Sequence, residues 1–481
     1  MNNSATMPLV RRGTRTLMIG TITSQVAALL RYAVLARILG PEQLGLAAIL
    51  ILTSQFFDMV TDVGMDRFLI QDRKGDEASA QRLVHLLGIG RGIGIFALLA
   101  ILAEPMAFFF NEPVLVWPLV MLGIVPATMG LIHYDFRRMQ RHHDFRQEGT
   151  VAVWSEIVGF VVTVGVALAT QSFTAVIFGL FAKAATMVVV THWLAERPYS
   201  IGFSRTHIRA LAVFGLPLTI NGLALFLSGQ GDRLLVGNQL GVTELGLYSA
   251  IMLLIYSPSQ FAARFMQTTG FPAIAEARDD AALQRYRLDS LIGQTLLLGA
   301  VMAVGFAAVG PVLIPLLFGE EFRSAALTVA MVGALQVIRF VRLWPTTLSL
   351  SIGRSGIVLT SNLIRLISLP IVLLGLQVVG GLLGVAIFFA LGEFLALAIS
   401  IYLANRASGR SMKRDMLRLA ILIAIFAALA LASIGYEDAD LLMMASGSAL
   451  TLILCGLLLA GENEGRKAAL AFLGRFRSKM V

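Results

Sequence analysis

Charged side chains lie within stretches of this sequence that are otherwise apolar, and most of them are arginines. Six are candidate binding residues for an anionic group: Arg31, Arg91, Arg233, Arg264, Arg339 and Arg342. A charge at the centre of a lipid-facing helix costs roughly 2.5–3.5 kcal/mol, so these side chains must face protein or water. Guanidinium groups bind phosphate and carboxylate oxygens through paired, charge-assisted hydrogen bonds. The residue types therefore predict an internal site for an anion.

Acidic residues are fewer in the same stretches. Candidates for ion coupling or for charge pairs between two lobes are Asp58, Glu156, Lys183, Asp232 and Glu393. If each acidic residue in these stretches pairs with one basic residue, some positive charge stays unpaired, because the basic residues outnumber the acidic ones. Asp58, Asp62 and Asp66 recur every four residues, which predicts one face of a helix. Asp58 is the deepest of the three and is our candidate for a carboxylate linked to a proton or another cation.

The elements that position these residues are membrane helices. The 481-residue chain is 57% hydrophobic and 14% charged, whereas a soluble protein carries about 25% charged residues. Apolar stretches of about 20 residues, enough to cross a bilayer, recur from end to end. The predicted spans are 16–39, 43–66, 83–103, 113–133, 149–170, 173–195, 210–239, 244–268, 287–310, 325–350, 355–376, 380–404, 416–434 and 440–460. This predicts an all-α polytopic membrane protein with about 14 transmembrane helices.

The basic residues also predict the orientation of the spans. Placing the N-terminus in the cytoplasm puts 28 of the 38 lysines and arginines in cytoplasmic segments and one, Arg323, outside. Short cytoplasmic loops are enriched in lysine and arginine, so both termini are predicted to be cytoplasmic. The net charge of +9 is therefore a feature of topology, and no nucleic-acid partner is expected.

One phrase occurs twice, 201 positions apart. Residues 31–47 read RYAVLARILGPEQLGLA and residues 232–248 read DRLLVGNQLGVTELGLY. Each phrase falls at the turn between the first two spans of a half, so the halves are predicted to be parallel repeats. The predicted organisation is an N-lobe of six spans (1–200), a C-lobe of six spans (201–408), and two further spans with a basic tail (409–481). The lobes are expected to enclose a central cavity.

Several kinds of site are not expected. The glycines of GIGRGIG at 88–94 lie inside an apolar span without a preceding strand, which argues against a dinucleotide-binding loop and favours close helix packing. The six histidines show no metal-ligand spacing, and no P-loop is present. No metal site and no organic cofactor are therefore predicted, and a coupling ion, H⁺ or Na⁺, is the remaining expectation.

The segments ARILGPEQLG, FFDMVTDVGMDRFLIQ and GDRLLVGNQLGVTELGLYSA, with fourteen spans and a basic N-terminus, resemble the Wzx-type polysaccharide flippases. These belong to the multidrug/oligosaccharidyl-lipid/polysaccharide exporter superfamily. The resemblance covers nearly the whole chain. It implies a cation-lined cavity between two lobes and transport of an undecaprenyl-diphosphate-linked oligosaccharide to the outer leaflet by alternating access.

The resemblance implies a bacterial inner-membrane location and a role in making cell-surface or exported polysaccharide. Expected partners are the lipid-linked oligosaccharide, membrane lipids, a polysaccharide polymerase and export machinery. Two alternatives stay open: a cation-coupled multidrug exporter of the same superfamily, and a membrane-embedded oligosaccharide polymerase or ligase. The first favours an acidic cavity and the second a large external loop, so a non-enzymatic transporter is the preferred prediction.

Overall fold

The computed structural model describes residues 3–142, 144–277 and 280–434, and these residues form helices without a single strand. In the first half the helices are α1 (Asn3–Val60), α2 (Met65–Gln71), α3 (Ala78–Phe109), α4 (Val116–Leu122), α5 (Ile124–Met129), α6 (Asp135–Arg141), α7 (Arg146–Thr170) and α8 (Ala175–Leu194). They continue with α9 (Arg205–Gln239), α10 (Val242–Glu276), α11 (Ala281–Phe318), α12 (Ala326–Val341), α13 (Leu343–Ser351), α14 (Ser355–Arg365), α15 (Ser368–Gly375), α16 (Gly381–Ser408) and α17 (Met412–Ile434).

The helices agree with the predicted spans. Ten helices of the described residues are long and apolar enough to cross a membrane, and Pro113–Met129 forms a shorter apolar segment. Every predicted span up to residue 434 overlaps a helix. The span predicted at 440–460 lies outside the described residues. The all-α polytopic class is confirmed, whereas the count of fourteen stays a prediction.

Helix α1 contains two predicted spans, which Gly40 separates. The φ of Gly40 is 71°, in the left-handed region that a residue without a Cβ adopts at little cost. The second of these spans ends earlier than its sequence suggests, at Val60. Asp62 lies in the break before α2, where its Oδ1 accepts a hydrogen bond from the backbone N–H of Gly64 at 2.8 Å. The prediction of three carboxylates on one helix face is therefore wrong, because the helix stops between the first and the second.

The chain divides into two compact units. The first comprises the residues up to Gln230 together with Gly237–Gly246, and the second comprises Gly231–Val236 and the chain from Leu247 onward. The first unit thus extends beyond residue 200, where the sequence placed the end of the N-lobe. Two glycines of α9 explain the extension: a Cβ at Gly215 would lie 2.3 Å from the Val63 carbonyl oxygen, and one at Gly222 would lie 2.1 Å from the Met59 carbonyl oxygen. These glycines let α9 pack directly on the end of α1.

The second unit has a continuous apolar core. Side chains from α10 to α13, α16 and α17 meet in it, and Trp344 and Leu397 are among its fully buried members. Helix α17 packs against α11, α12 and α16. The first of the two spans predicted after residue 408 is therefore part of this core and not a separate appendage.

The glycines of α3 differ in whether they pack against another helix. A Cβ at Gly92 would lie 2.4 Å from the carbonyl oxygen of Pro126 on α5, whereas a Cβ at Gly90 or Gly94 would meet no atom within 4 Å. The prediction of close packing is confirmed for one face of α3, the face that also carries Gly88. The other pair faces open space.

We expect Gly92→Ala to lower the free energy of unfolding by about 1–3 kcal/mol, because the methyl group forces α3 away from α5. Gly90→Ala is the matched control, and it should stabilise the helix by about 0.5–1 kcal/mol through its lower backbone entropy. Unfolding of both purified variants in detergent micelles measures the difference. Equal effects of the two substitutions would contradict this packing.

Candidate functional site

In the first unit, one buried carboxylate serves two cations. Glu156 on α7 is 7% exposed, and its Oε2 lies 3.5 Å from Nη1 of Arg31 on α1. Its other oxygen accepts a hydrogen bond from the Lys183 ammonium on α8. The three residues come from three helices and leave one positive charge uncompensated among themselves. The sequence suggested that Glu156 and Lys183 pair between lobes, but here both pair inside one unit.

Arg91 has a local role that its position in the sequence did not predict. Its Nη2 donates to the Asp58 carbonyl oxygen at 3.1 Å and lies 3.4 Å from Oδ1 of the same residue. Its Nε donates to Oγ1 of Thr61 at 2.7 Å. The carbonyls in the last turn of a helix lack partners within the helix and carry a partial negative charge. Arg91 therefore caps the end of α1, and Asp58 is an exposed partner of this cap.

A small cavity adjoins this cap within the first unit. Its volume is about 460 Å³, and its walls are apolar apart from Arg91 and two threonines. The lining residues belong to the segment between α1 and α2, the first residue of α2, and helices α3 and α9. Because Asp58 neutralises Arg91 locally, the cavity lacks the strong positive charge predicted for an anion site.

Three arginines of the basic segment DFRRMQRHHDFR, residues 135–146, contact neighbouring segments: Arg137, Arg138 and Arg141. Arg137 lies 2.7 Å from Asp66 and 2.9 Å from Glu148. Arg138 bonds the fully buried Asp135 at 2.7 Å. Burial alone would raise the pKa of Asp135, but its bonds from Arg138 and from the backbone N–H of Glu196 bring that pKa below the ordinary value. The segment therefore ties neighbouring parts of the first unit together.

The second unit holds a denser charge cluster. Glu393 on α16 is fully buried and pairs with Arg339, whose Nε lies 3.0 Å from Oε1, and with Arg365, whose Nη2 lies 2.6 Å from the same oxygen. Nε of Arg365 also donates to Oε2 of Glu393 at 2.8 Å. Arg342 is more distant, with Nη1 4.0 Å from Oε2. One carboxylate thus holds three guanidinium groups, and we call these four residues the Glu393 cluster.

Asp232 extends the Glu393 cluster to α9. Its Oδ2 lies 3.2 Å from Nη2 of Arg339 and accepts a hydrogen bond from the Tyr248 hydroxyl at 3.1 Å. The adjacent Arg233 is half-buried, and its Nε has no hydrogen-bond partner among the described residues. Asp232 and Glu393 therefore pair inside the second unit, where the sequence suggested pairs between lobes. Three guanidinium groups, those of Arg339, Arg342 and Arg365, meet these two carboxylates.

The remaining candidate, Arg264 on α10, lies on the surface of the second unit. Its side chain is exposed, and within the described ranges it forms no ion pair. Arg339 and Arg342, which the sequence placed on one helical face, both reach Glu393. The break between α12 and α13 occurs at Arg342, and Nη1 of this residue is buried without a hydrogen-bond partner in the described chain.

Two participants were missed. Arg365 is not among the predicted site residues, although it is the nearest partner of Glu393. Tyr248 carries no charge, so charge counting passed over it. Its place in the second repeated phrase, 16 residues after Asp232, is the signal that could have identified it.

The chain is similar in sequence to known proteins. A family model described as polysaccharide biosynthesis protein matches residues 34–327. The lipopolysaccharide biosynthesis protein WzxC of Escherichia coli (strain K12) is 23% identical over 391 residues, which is 80% of this chain and 78% of that protein.

Two solved structures share the fold. The lipid II flippase MurJ, in an inward closed conformation, has a TM-score of 0.67 and 11% identity over 91% of this chain and 97% of its own. A multidrug resistance transporter of the MATE family, in an inward-facing conformation, has a TM-score of 0.57 and 14% identity over 82% and 94% of the two chains. At such identities the likeness shows the fold alone.

Proposed function

The chain belongs to the polysaccharide biosynthesis protein family, and we propose that it is a flippase for a lipid-linked oligosaccharide. The cargo class is an oligosaccharide on undecaprenyl diphosphate, moved from the cytoplasmic to the outer leaflet by alternating access. The match to this family and the likeness to WzxC confirm the resemblance found in the sequence. We infer transport without catalysis.

The observation that carries the proposal is the excess of cations over carboxylates inside the helices. Arg31 and Lys183 share Glu156 in the first unit, and three arginines share Asp232 and Glu393 in the second. Unpaired charge is expensive to keep inside a membrane protein and is retained where it serves a function. A diphosphate offers several anionic oxygens that match guanidinium donors in charge and geometry.

The same excess disfavours a multidrug exporter for cationic compounds, although a MATE transporter shares the fold. Such an exporter would gain from carboxylates that outnumber the cations near its cargo. Here the buried carboxylates Glu156, Asp232 and Glu393 are already paired with arginine or lysine. The charge pattern therefore favours an anionic cargo.

The orientation follows from the distribution of basic residues. We propose that the chain lies in a bacterial inner membrane with both termini in the cytoplasm. A polysaccharide polymerase and export machinery would act on the cargo after it reaches the outer leaflet. Asp58, Asp232, Glu156, Lys183 and Glu393 stay candidates for coupling to H⁺ or Na⁺.

Deletion of the gene tests the proposal. Cells without the protein should accumulate the lipid-linked oligosaccharide in the inner leaflet, where a membrane-impermeant glycosidase supplied outside spheroplasts cannot digest it. Expression of the wild-type chain should restore digestion. Greater sensitivity to cationic drugs without such accumulation would favour the multidrug exporter instead.

In the same assay we expect Arg264→Ala to lower export by about tenfold or more, because an exposed guanidinium without an internal partner is available to a phosphate group. The matched control is Arg323→Ala. Arg323 is also exposed, but it pairs locally with Glu320 at 2.6 Å and should be dispensable. Equal protein levels of both variants in the membrane are required, and full export by Arg264→Ala would remove this residue from the site.

A further inference from the structure

The two copies of the repeated phrase meet in the structure. The first glycine of each copy, Gly40 or Gly241, has a positive φ of 71° or 90° and separates two helical segments. The second glycine of each copy packs against the other copy. A Cβ at Gly45 would lie 1.8 Å from the Val242 carbonyl oxygen, and a Cβ at Gly246 would lie 1.9 Å from the Pro41 carbonyl oxygen.

This contact is reciprocal. Pro41 and Val242 are 201 positions apart, as are Gly45 and Gly246. The glycine of each half packs against a backbone carbonyl of the other half. The two contacts are equivalent, as in an interface with two-fold symmetry. The contact is made by backbone atoms, so even one methyl group on either side would separate the helices.

Further contacts hold the second copy in place. The side-chain amide of Asn238 donates a hydrogen bond to the Phe109 carbonyl oxygen at the end of α3, and a Cβ at Gly237 would lie 3.0 Å from the Phe110 ring. Residues 237–246 accordingly belong to the first compact unit, although the residues on either side of them belong to the second. The turn between α9 and α10 is therefore attached to the first unit at this end.

We propose that these contacts form the outer gate of the transporter, closed in this structure, and that they separate when cargo leaves on the outer side. We call them the glycine gate: Pro41–Gly45 against Val242–Gly246, with Asn238 on Phe109. The proposal rests on the proposed function and on its orientation, which places both turns outside. The glycine contacts are made on backbone carbonyl oxygens, which suits this role, because a two-state element has to separate and re-form.

Cross-linking tests whether the gate must open. Glu42 and Thr243 are exposed, equivalent in the two copies, and each lies about 4.5 Å along its helix from the packed glycine. Cysteines replace both in a Cys455→Ala background, which removes the single native cysteine. We expect a reducible bis-thiosulfonate reagent added outside to stop export, and reduction to restore it. The single-cysteine variants treated in the same way should export normally.

A second measurement does not depend on the cargo. Val242 is buried, so Val242→Cys should react slowly with a membrane-impermeant maleimide added outside while the gate is closed. Adding Gly45→Ala should raise the labelling rate severalfold, because the methyl group prevents closure. Gly94→Ala is the matched control, because a Cβ at this other helical glycine meets no atom within 4 Å.

The outcomes separate the two proposals. Normal export by the cross-linked protein, absence of any cross-link, or a labelling rate that Gly45→Ala leaves unchanged would overturn the gate. Slow labelling that Gly45→Ala accelerates, in a protein whose deletion causes no accumulation of lipid-linked oligosaccharide, would retain the gate and reject the cargo.

Discussion

Replacing Glu393 with glutamine is expected to lower the free energy of unfolding by about 3–5 kcal/mol, the cost of removing one partner from a buried ion pair. Glutamine has a similar shape but no charge, so Arg339, Arg342 and Arg365 would lose their common counter-ion. Asp232 would remain for Arg339 only. The variant should reach the membrane at a reduced level and unfold at a lower temperature in detergent micelles.

Glu320→Gln is the matched control. Glu320 also pairs with an arginine, Arg323 at 2.6 Å, but both side chains are largely exposed. Exposed pairs contribute about 0–1 kcal/mol, because water already solvates both charges. The double substitution Glu393→Gln/Arg365→Gln removes one positive charge together with the carboxylate, and it should recover part of the lost stability. Similar unfolding temperatures for the wild type and Glu393→Gln would show that Glu393 does not hold the cluster.

Arg342→Gln is expected to lower export by about tenfold or more, equivalent to about 1.4 kcal/mol in cargo binding, while leaving stability within about 0.5 kcal/mol. Arg342 is the most distant cation of the Glu393 cluster, and its Nη1 has no hydrogen-bond partner in the described chain. A phosphate oxygen would satisfy this donor. Removing the side chain also relieves its repulsion with Arg339 and Arg365, so the fold should not suffer.

Arg365→Gln is the comparison for this prediction. Arg365 donates to both oxygens of Glu393, and losing these charge-assisted hydrogen bonds should cost about 1.5–3 kcal/mol of stability. Unfolding measurements and the spheroplast export assay, run on both variants at matched protein levels, separate a cargo contact from a structural pair. The same loss of stability in both would place Arg342 among the structural residues.

The class of the protein and much of its organisation followed from the sequence. The high apolar content and the length of the apolar stretches require membrane helices. Lipid offers no hydrogen-bond partner for backbone N–H and C=O groups, so these groups must bond to one another within a helix. The repeated phrase marked two equivalent halves, and the shortage of carboxylates predicted uncompensated positive charge. These properties depend on residue type and order along the chain, which the sequence states directly.

The partners of the charges came only from the tertiary structure. Glu393 meets Arg339 and Arg365, which lie 54 and 28 residues away in the chain. No local pattern in the sequence predicts the rotation and depth of one membrane helix relative to the next, because these helices are apolar on most of their surface. Arg91 was therefore predicted to be a binding residue, whereas in the folded chain it caps the end of α1.

The repeated phrase contains both kinds of feature: some that its sequence predicts and some that only the tertiary structure shows. The role of Gly40 and Gly241 as turns was predictable, because a positive φ is a local requirement of the chain. The role of Gly45 and Gly246 was not predictable, because each packs against a carbonyl oxygen far away in the chain that only the packed fold brings within contact. The backbone conformation of a residue depends on its neighbours in the chain. The close approach of two helices depends on which helices the fold places side by side.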